Sequence, residues 1–295
     1  MALFGAIETG GTTCSCLIGR GPDDLVAEAR FATTTPVETI ARLVGFFREH
    51  TREHAIRALG IGSFGPLDLH PGSPTYGFIT TTPKPGWQQV GLCGPLEAAL
   101  QVPVAFDTDV NAAALGEYHW VPENQGADPL LYLTVGTGIG LGAVVHGQPL
   151  HGLVHPEAGH MLLPHDQALD PFAGTCPFHG DCWEGLASGY ALEKRWGQPG
   201  ETLPPDYPAW ELEARYLGQG LANLICCLSP RRVVVGGGVM RQPGLLDRVR
   251  RETQTAIHGY LRSGALVEGM DALIVPPRLG ARSALLGALA LAARG

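Results

Sequence analysis

The sequence predicts two α/β halves with a ligand cleft between them. Three observations carry that reading. Apolar runs of strand length alternate with segments of helical period along the chain. One strand–Gly/Thr turn–strand element occurs twice, around Gly10 and around Gly136. The length, 295 residues, exceeds that of a typical single domain.

The elements follow in order. Leu3 to Ile7 reads as a strand, Glu8 to Thr13 as a Gly/Thr-rich turn, and Cys14 to Ile18 as the returning strand of a hairpin. Residues 36–56 place Ile40, Leu43, Val44 and Phe47 on one helical face. Leu59 to Phe64 reads as a buried strand ending at Gly65-Pro66. A short helix (Pro95 to Leu100), a strand (Val102 to Phe106) and an alanine-rich helix (Val110 to Tyr118) follow. The boundary between halves is placed at 115/116, giving domains 1–115 and 116–280. The hairpin pattern then returns: Leu130 to Leu133, the turn 134–140, and Leu141 to Val145. Glu211 to Leu228 is a long amphipathic helix. Val233 to Val235 is a strand broken by Gly236-Gly237-Gly238. Leu245 to Leu261 and Ser283 to Ala293 are helical in pattern. No long linker separates the halves, so their cleft is the expected ligand site.

Charge is distributed unevenly. Between 58 and 193 there are 13 Asp/Glu and one cation besides histidine, Lys84, a net charge of −12. The remaining residues sum to +4. A basic nucleic-acid face is therefore not expected. No apolar run reaches the roughly 18 residues of a membrane span, and the N-terminus lacks the basic flank of a secretory signal. Seven cysteines without such a signal point to a reducing, cytoplasmic setting. Cys14, Cys16, Cys93, Cys226 and Cys227 lie in apolar or small-residue runs and read as core.

Three glycine-rich turns each follow an apolar strand: 8–13, 134–140 and 236–238. Such turns bring backbone N–H groups close to an anion, and threonine hydroxyls add donors. Three in one α/β chain point to nucleotide phosphates. None is a P-loop or a dinucleotide fingerprint, which makes hydride transfer the weaker alternative. A fourth turn, Gly62-Ser63-Phe64-Gly65-Pro66, would line the opposite wall. Asp109 stands in Phe106-Asp107-Thr108-Asp109-Val110-Asn111, at the end of a strand and the start of a helix, where open α/β sheets bind ligands. Either Thr108 or Asp109 could be a helix N-cap. The functional reading makes Asp109 the general base of a kinase, since a hydroxyl acceptor needs a carboxylate within reach.

His155-Pro-Glu157-Ala-Gly-His160 precedes Cys176-Pro-Phe-His179-Gly-Asp-Cys182. Two thiolates and two imidazoles, from His160, Cys176, His179 and Cys182, make a closed structural zinc site. His155 and His151 are rivals to His160 for the fourth position.

These residues resemble the ROK family of bacterial sugar kinases (repressors, open reading frames, kinases), and within it the fructokinase branch. The resemblance spans the chain. It rests on I-E-T-G-G-T in the first turn, G-S-F-G-P at 62–66, Y-G-F-I-T-T-T-P-K-P-G-W at 76–87 and F-D-T-D-V-N-A-A-A-L-G-E at 106–117. It continues through T-V-G-T-G-I-G at 134–140, H-P-E-A-G-H at 155–160, the Cys/His cluster, E-G-L-A-S-G at 184–189 and S-P-R-R-V-V-V-G-G-G-V-M at 229–240. It implies two ribonuclease-H-like domains of the actin and hexokinase type, with a final helix, about 281–295, packing back on the first. It implies ATP-dependent phosphorylation of a hexose, most of all the 6-hydroxyl of D-fructose, with Mg²⁺ and a structural Zn²⁺. Mannose, glucose or an N-acetylated amino sugar is the alternative substrate. Asp109 maps to the base. Gly65, Asn111, Glu157, His160 and Glu184 map near the sugar. Gly10, Gly11, Thr12, Thr134, Gly136 and Thr137 map to the phosphates, and Ser188, Gly236, Gly237, Gly238, Val239 and Met240 to the adenosine. A homodimer is also implied.

The chain departs from the family pattern at four positions. Thr13 stands where many members have lysine, so Mg²⁺ and backbone N–H groups must carry more. Glu8 and Thr108 lean toward the fructokinase branch. His179 replaces a cysteine at zinc. A sugar-responsive repressor of the same family would need a DNA-binding module ahead of Glu8, for which no room is expected.

Overall fold

In the computed structural model, residues 2–51 and 55–294 are described. They divide into two compact units, 1–126 with 142–156 and 281–295, and 127–141 with 157–280.

The first sheet is built from β1 (Leu3–Thr9), β2 (Thr13–Gly21), β3 (Asp24–Ala32), β4 (Ile56–Ser63) and β7 (Val104–Thr108), in the order β3-β2-β1-β4-β7. The first three strands are antiparallel; β1, β4 and β7 run parallel. Between β3 and β4 comes helix α1 (Pro36–His50). Its start is locally encoded: the Thr35 side chain accepts the Glu38 N–H, and Pro36 occupies the first turn, where a missing N–H costs nothing. The helix was expected to run to 56, but it ends at His50 with Thr51 as its cap, and Ile56 already opens β4; residues 52–54 lie outside the described residues. A two-stranded sheet, β5 (Phe78–Ile79) with β6 (Val90–Gly91), and helix α2 (Cys93–Leu100) precede β7. Strand β3 was not expected. Its signal is the alternation of Leu25, Ala27, Ala29 and Phe31 with Glu28 and Arg30; Ala27, Ala29 and Phe31 pack on the core formed by Ile7, Ile18, Leu43, Phe47 and Trp87.

Helix α3 (Asp109–Trp120) leaves the end of β7. The boundary expected at 115/116 falls inside it, and the whole helix lies in the first unit. α3 is followed by β8 (Leu130–Val135), β9 (Ile139–Val145), which the division cuts at Gly142, and β10 (Gln148–Pro149). Then come α4 (Trp183–Ala187), α5 (Gly189–Trp196), α6 (Ala209–Leu228), β11 (Arg232–Gly236), α7 (Leu245–Ile257), α8 (Gly264–Val267), α9 (Met270–Leu273), β12 (Ile274–Val275) and α10 (Ser283–Arg294). The second sheet has the order β10-β9-β8-β11-β12. Numbered within each sheet, both orders read third, second, first, fourth, fifth strand. The repeated hairpin seen in sequence is thus part of a repeated sheet topology.

In the first unit α10 lies against α3 and β4. The approach is backbone to backbone: a Cβ on Gly287 would sit 1.6 Å from the Ala112 carbonyl oxygen, and one on Gly60 would sit 1.9 Å from that of Ala288. Glu117 is fully buried beneath this junction, where it accepts from the Ser283 hydroxyl at 2.8 Å. Cys14, Cys16 and Cys93 are buried. Cys226 and Cys227, expected in the core, are exposed. They occupy the last turn of α6, where Leu224 and Ile225 take the buried positions.

Candidate active site

The sequence-derived residues fall into two groups, one in each unit. In the first, the hairpin turn between β1 and β2 is closed by Gly10 N–H on the Thr13 carbonyl at 2.8 Å. Thr33 holds it from outside: its hydroxyl donates to the Gly10 carbonyl at 2.8 Å and its N–H to the Thr12 carbonyl at 2.9 Å. Gly11 and Thr12 are exposed, and nothing lies within 4 Å of where a Cβ on Gly11 would be, so the tip is open to a ligand.

Strand register sets Glu8 beside Gly62 and Gly62 beside Asp107, and Asp109 follows two residues later. The helix cap belongs to Thr108, whose hydroxyl accepts the Asn111 N–H at 3.0 Å. Asp109 itself accepts the adjacent Val110 N–H at 2.8 Å and does not cap the helix. Burial pushes the Asp109 carboxyl up to about 6, against the lowering effect of the Val110 N–H. Burial, and then the Asp109 charge, pushes Glu8 up to about 7, with Arg30 acting in the opposite sense. Asp109 is therefore a carboxylate in an acidic, partly desolvated corner, as a general base requires.

Asn111 is fully buried and committed internally. It donates to Asp107 at 2.9 Å and accepts the Ala143 N–H at 3.0 Å. Sequence reasoning missed Asp107, which also accepts the Thr108 N–H at 2.7 Å and lies 2.9 Å from His151. The Asp107 carboxylate raises the His151 pKa. His155 accepts the Leu67 N–H at 3.0 Å and packs against Gly65; burial lowers its pKa. Both rivals for the metal are thus engaged elsewhere.

In the second unit, Thr134, next to last in β8, pairs with Gly236 of β11. Nothing stands within 4 Å of a Cβ position on Gly136 or Gly238, while Gly237, at φ +100°, packs on the Val135 backbone. Val239 and Met240 open a single 3-10 turn. Ser188 is buried and caps α5, accepting the Ala191 N–H at 3.1 Å, and the next residue's N–H bonds the Gly136 carbonyl at 2.7 Å. Thr137 and Glu157 are exposed.

His160, Cys176, His179 and Cys182 converge: their ligand atoms all lie within 4.8 Å of one another. Cys176 Sγ is 3.6 Å from Nδ1 of both His160 and His179, and Cys182 Sγ is 3.6 Å from Nδ1 of His160. A tetrahedral zinc with bonds of about 2.3 Å to sulfur and about 2.0 Å to nitrogen has S···N edges of about 3.5 Å. The donor set and its spacing fit that ion. The loop is anchored through His165, which bonds Asp181 at 2.9 Å and the Asp170 carbonyl at 2.9 Å; buried Asp170 in turn receives Arg195 and Tyr216. Sequence reasoning did not reach this anchor.

Comparison with known proteins gives the frame for these groups. The ROK family model matches residues 4–294. The chain belongs to the ROK family. It is 42% identical over 297 residues to the fructokinase of Zymomonas mobilis, covering 98% of this chain and 96% of that one. With the fructokinase of Lactococcus lactis subsp. cremoris the identity is 41% over 265 residues, 90% of this chain and 89% of the other. Among solved structures, the ROK hexokinase of Thermus thermophilus superposes with a TM-score of 0.79 at 29% identity, covering 99% and 98% of the two chains. The ROK glucokinase of Streptomyces griseus, solved with glucose and AMPPNP, gives 0.78 at 24% identity over 100% of both, a likeness of fold. The two-domain α/β architecture of this ROK chain is therefore that of the family's hexokinases.

Proposed function

We propose that this protein is an ATP-dependent fructokinase that phosphorylates the 6-hydroxyl of D-fructose, with Asp109 as general base. The observation that carries the chemistry is the Asp109 carboxylate at the head of α3, uncommitted to capping and raised to about 6. The choice of fructose is supported by fructokinase relatives at about 40% identity over most of the chain.

Asp109 accepts the proton of the sugar hydroxyl as that oxygen attacks the γ-phosphoryl of ATP; the bond to the β-phosphate oxygen breaks and ADP leaves. In such a loose transition state, positioning and charge stabilisation dominate. The open turn at Gly10, Gly11 and Thr12 and its counterpart at Thr134, Gly136 and Thr137 offer backbone N–H groups and hydroxyls to phosphate oxygens. Gly236 to Met240 and Ser188 border the adenosine. Glu8 beside Asp109 is an oxygen donor of the kind Mg²⁺ takes. When bound, Mg²⁺ would neutralise phosphate charge. Zn²⁺ on His160, Cys176, His179 and Cys182 has four protein ligands and so a structural task, fixing the segment from Glu157 to Glu184 near the sugar.

Among the described residues no helix is long and apolar enough to cross a membrane. A cytoplasmic homodimer completes the reading, and light scattering tests the assembly. The deciding experiment is a coupled ADP-release assay with fructose, mannose, glucose and N-acetylmannosamine. Fructose should give the highest kcat/KM. A higher value for another hexose reassigns the substrate, and no turnover with any of them favours a sugar-sensing regulator.

A further inference from the structure

The chain has two lysines, and one of them, Lys84, is the sole cation besides histidine between 58 and 193. The fold carries it to the first glycine turn: its ammonium donates to the Gly11 carbonyl, 73 residues away in sequence. The placement is built. Lys84 N–H donates to the Thr82 hydroxyl at 3.3 Å, and its carbonyl accepts the Trp87 N–H at 3.2 Å. The Trp87 ring is fully buried, and its indole N–H donates to the Thr34 carbonyl at 2.9 Å. Thr34 adjoins Thr33, which grips the same turn through the Gly10 and Thr12 carbonyls. One strand end thus fixes both the turn and the segment that brings the cation to it.

Lys84 makes no salt bridge among the described residues, although the stretch 58–193 that carries it holds 13 Asp/Glu. An ammonium has three donors, and the Gly11 carbonyl uses one. The other two are available at the open face of the turn, whose own last residue, Thr13, is uncharged. A half-buried cation poised on an open glycine turn is a site for an anion.

We propose that Lys84 is a phosphate-binding residue, supplying to the nucleotide phosphates at the Gly10–Thr12 turn the positive charge that the turn itself does not carry. This rests on the kinase reading above.

The test is calorimetric titration of Mg·ATP and of fructose into wild type, Lys84→Gln, Lys84→Arg and Lys84→Gln with Thr13→Lys. Glutamine keeps an N–H donor, one bond shorter than lysine's, and carries no charge; the fructose affinity and melting temperature measured beside ATP affinity separate phosphate binding from stapling. The expected result is an ATP affinity about 10- to 100-fold lower in Lys84→Gln, as for loss of a charged hydrogen bond. Fructose affinity and melting temperature should hold. Arginine should preserve most of the ATP affinity, and lysine at 13 should restore part of it. ATP affinity equal in wild type and Lys84→Gln overturns the proposal alone. Equal losses for ATP and fructose with a lower melting temperature also overturn it, in favour of a structural staple. Failure of wild type to bind ATP overturns the kinase reading and this proposal with it.

Discussion

Glu184 Oε2 accepts the backbone N–H of Ile139 at 2.9 Å, and the same oxygen lies 2.4 Å from where a Cβ on Gly138 would be. The glycine turn after β8 is therefore shaped around a carboxylate that follows Cys182, a residue of the Cys/His cluster, by two residues. Gly138→Ala must push that carboxylate off the turn. Because the displaced group is the tip of a side chain and not backbone, the fold should tolerate the change. The expected result is a rise of about tenfold or more in sugar KM, from one lost and one orphaned hydrogen-bonding group, with a melting temperature within a few degrees of wild type. Unchanged steady-state kinetics would remove Glu184 from the site.

Asp109→Asn should lower kcat at least about 100-fold while sugar affinity stays within a few-fold, since a general base contributes about 100- to 10,000-fold. An asparagine carbonyl can still accept the Val110 N–H, so folding should be preserved. The substitution also removes a charge that raises Glu8, so the Glu8 titration, followed by carboxyl NMR, should move down. Activity above about 1% of wild type would rule out this base.

The pH dependence follows from the same pair. Asp109 must be ionised to accept a proton, so kcat/KM for the sugar should fall as pH drops through about 6. Stability has the opposite sign. Glu8 ionises near 7 in the folded chain and at 4.5 in the reference state, so the folded form holds its proton more tightly. The cost of burying its charge is absent below 4.5, grows as pH rises, and is complete above 7. Glu8→Gln should therefore melt higher than wild type at pH 8 without magnesium, and at the same temperature at pH 4. A difference that persists at pH 4 would point to a packing effect instead.

Removal of the metal tests the Cys/His cluster. The protein purified without chelator should hold about one zinc per chain by elemental analysis. Zinc at 100 times its Kd adds about 2.7 kcal/mol, which corresponds to about 5–10 °C of melting temperature for a unit of this size. Chelation should cost that much, and His179→Cys should retain the ion because sulfur is an equivalent ligand. A metal-free protein of unchanged stability would exclude a structural role.

Much of the site was legible because its signals are short-range. The Thr108 cap, the Asp109 that follows it and the three glycine turns each occupy a few consecutive residues. Cys176, His179 and Cys182 likewise declare themselves by spacing, and 16 residues separate Cys176 from His160. Other features were not legible for physical reasons. The partners of Asn111 are one such feature: its amide bonds Asp107 and the Ala143 N–H, neither of which local spacing announces. The exposure of Cys226 and Cys227 depends on where α6 stops packing, which composition does not encode.

The sequence by itself determined the two α/β halves, the duplicated hairpin, the Cys/His cluster proposed to hold a metal and the acidic stretch 58–193 with its one lysine. Only the tertiary structure decided that His151 serves Asp107, that His155 serves Leu67, and that Lys84 reaches Gly11. These pairs are separated by 44, 88 and 73 residues. Periodicity specifies which face of an element is buried. Which residue lies across from it is set by sheet order and loop anchoring, here by Trp87 on Thr34. That is how a lysine distant in sequence comes to stand at the first glycine turn.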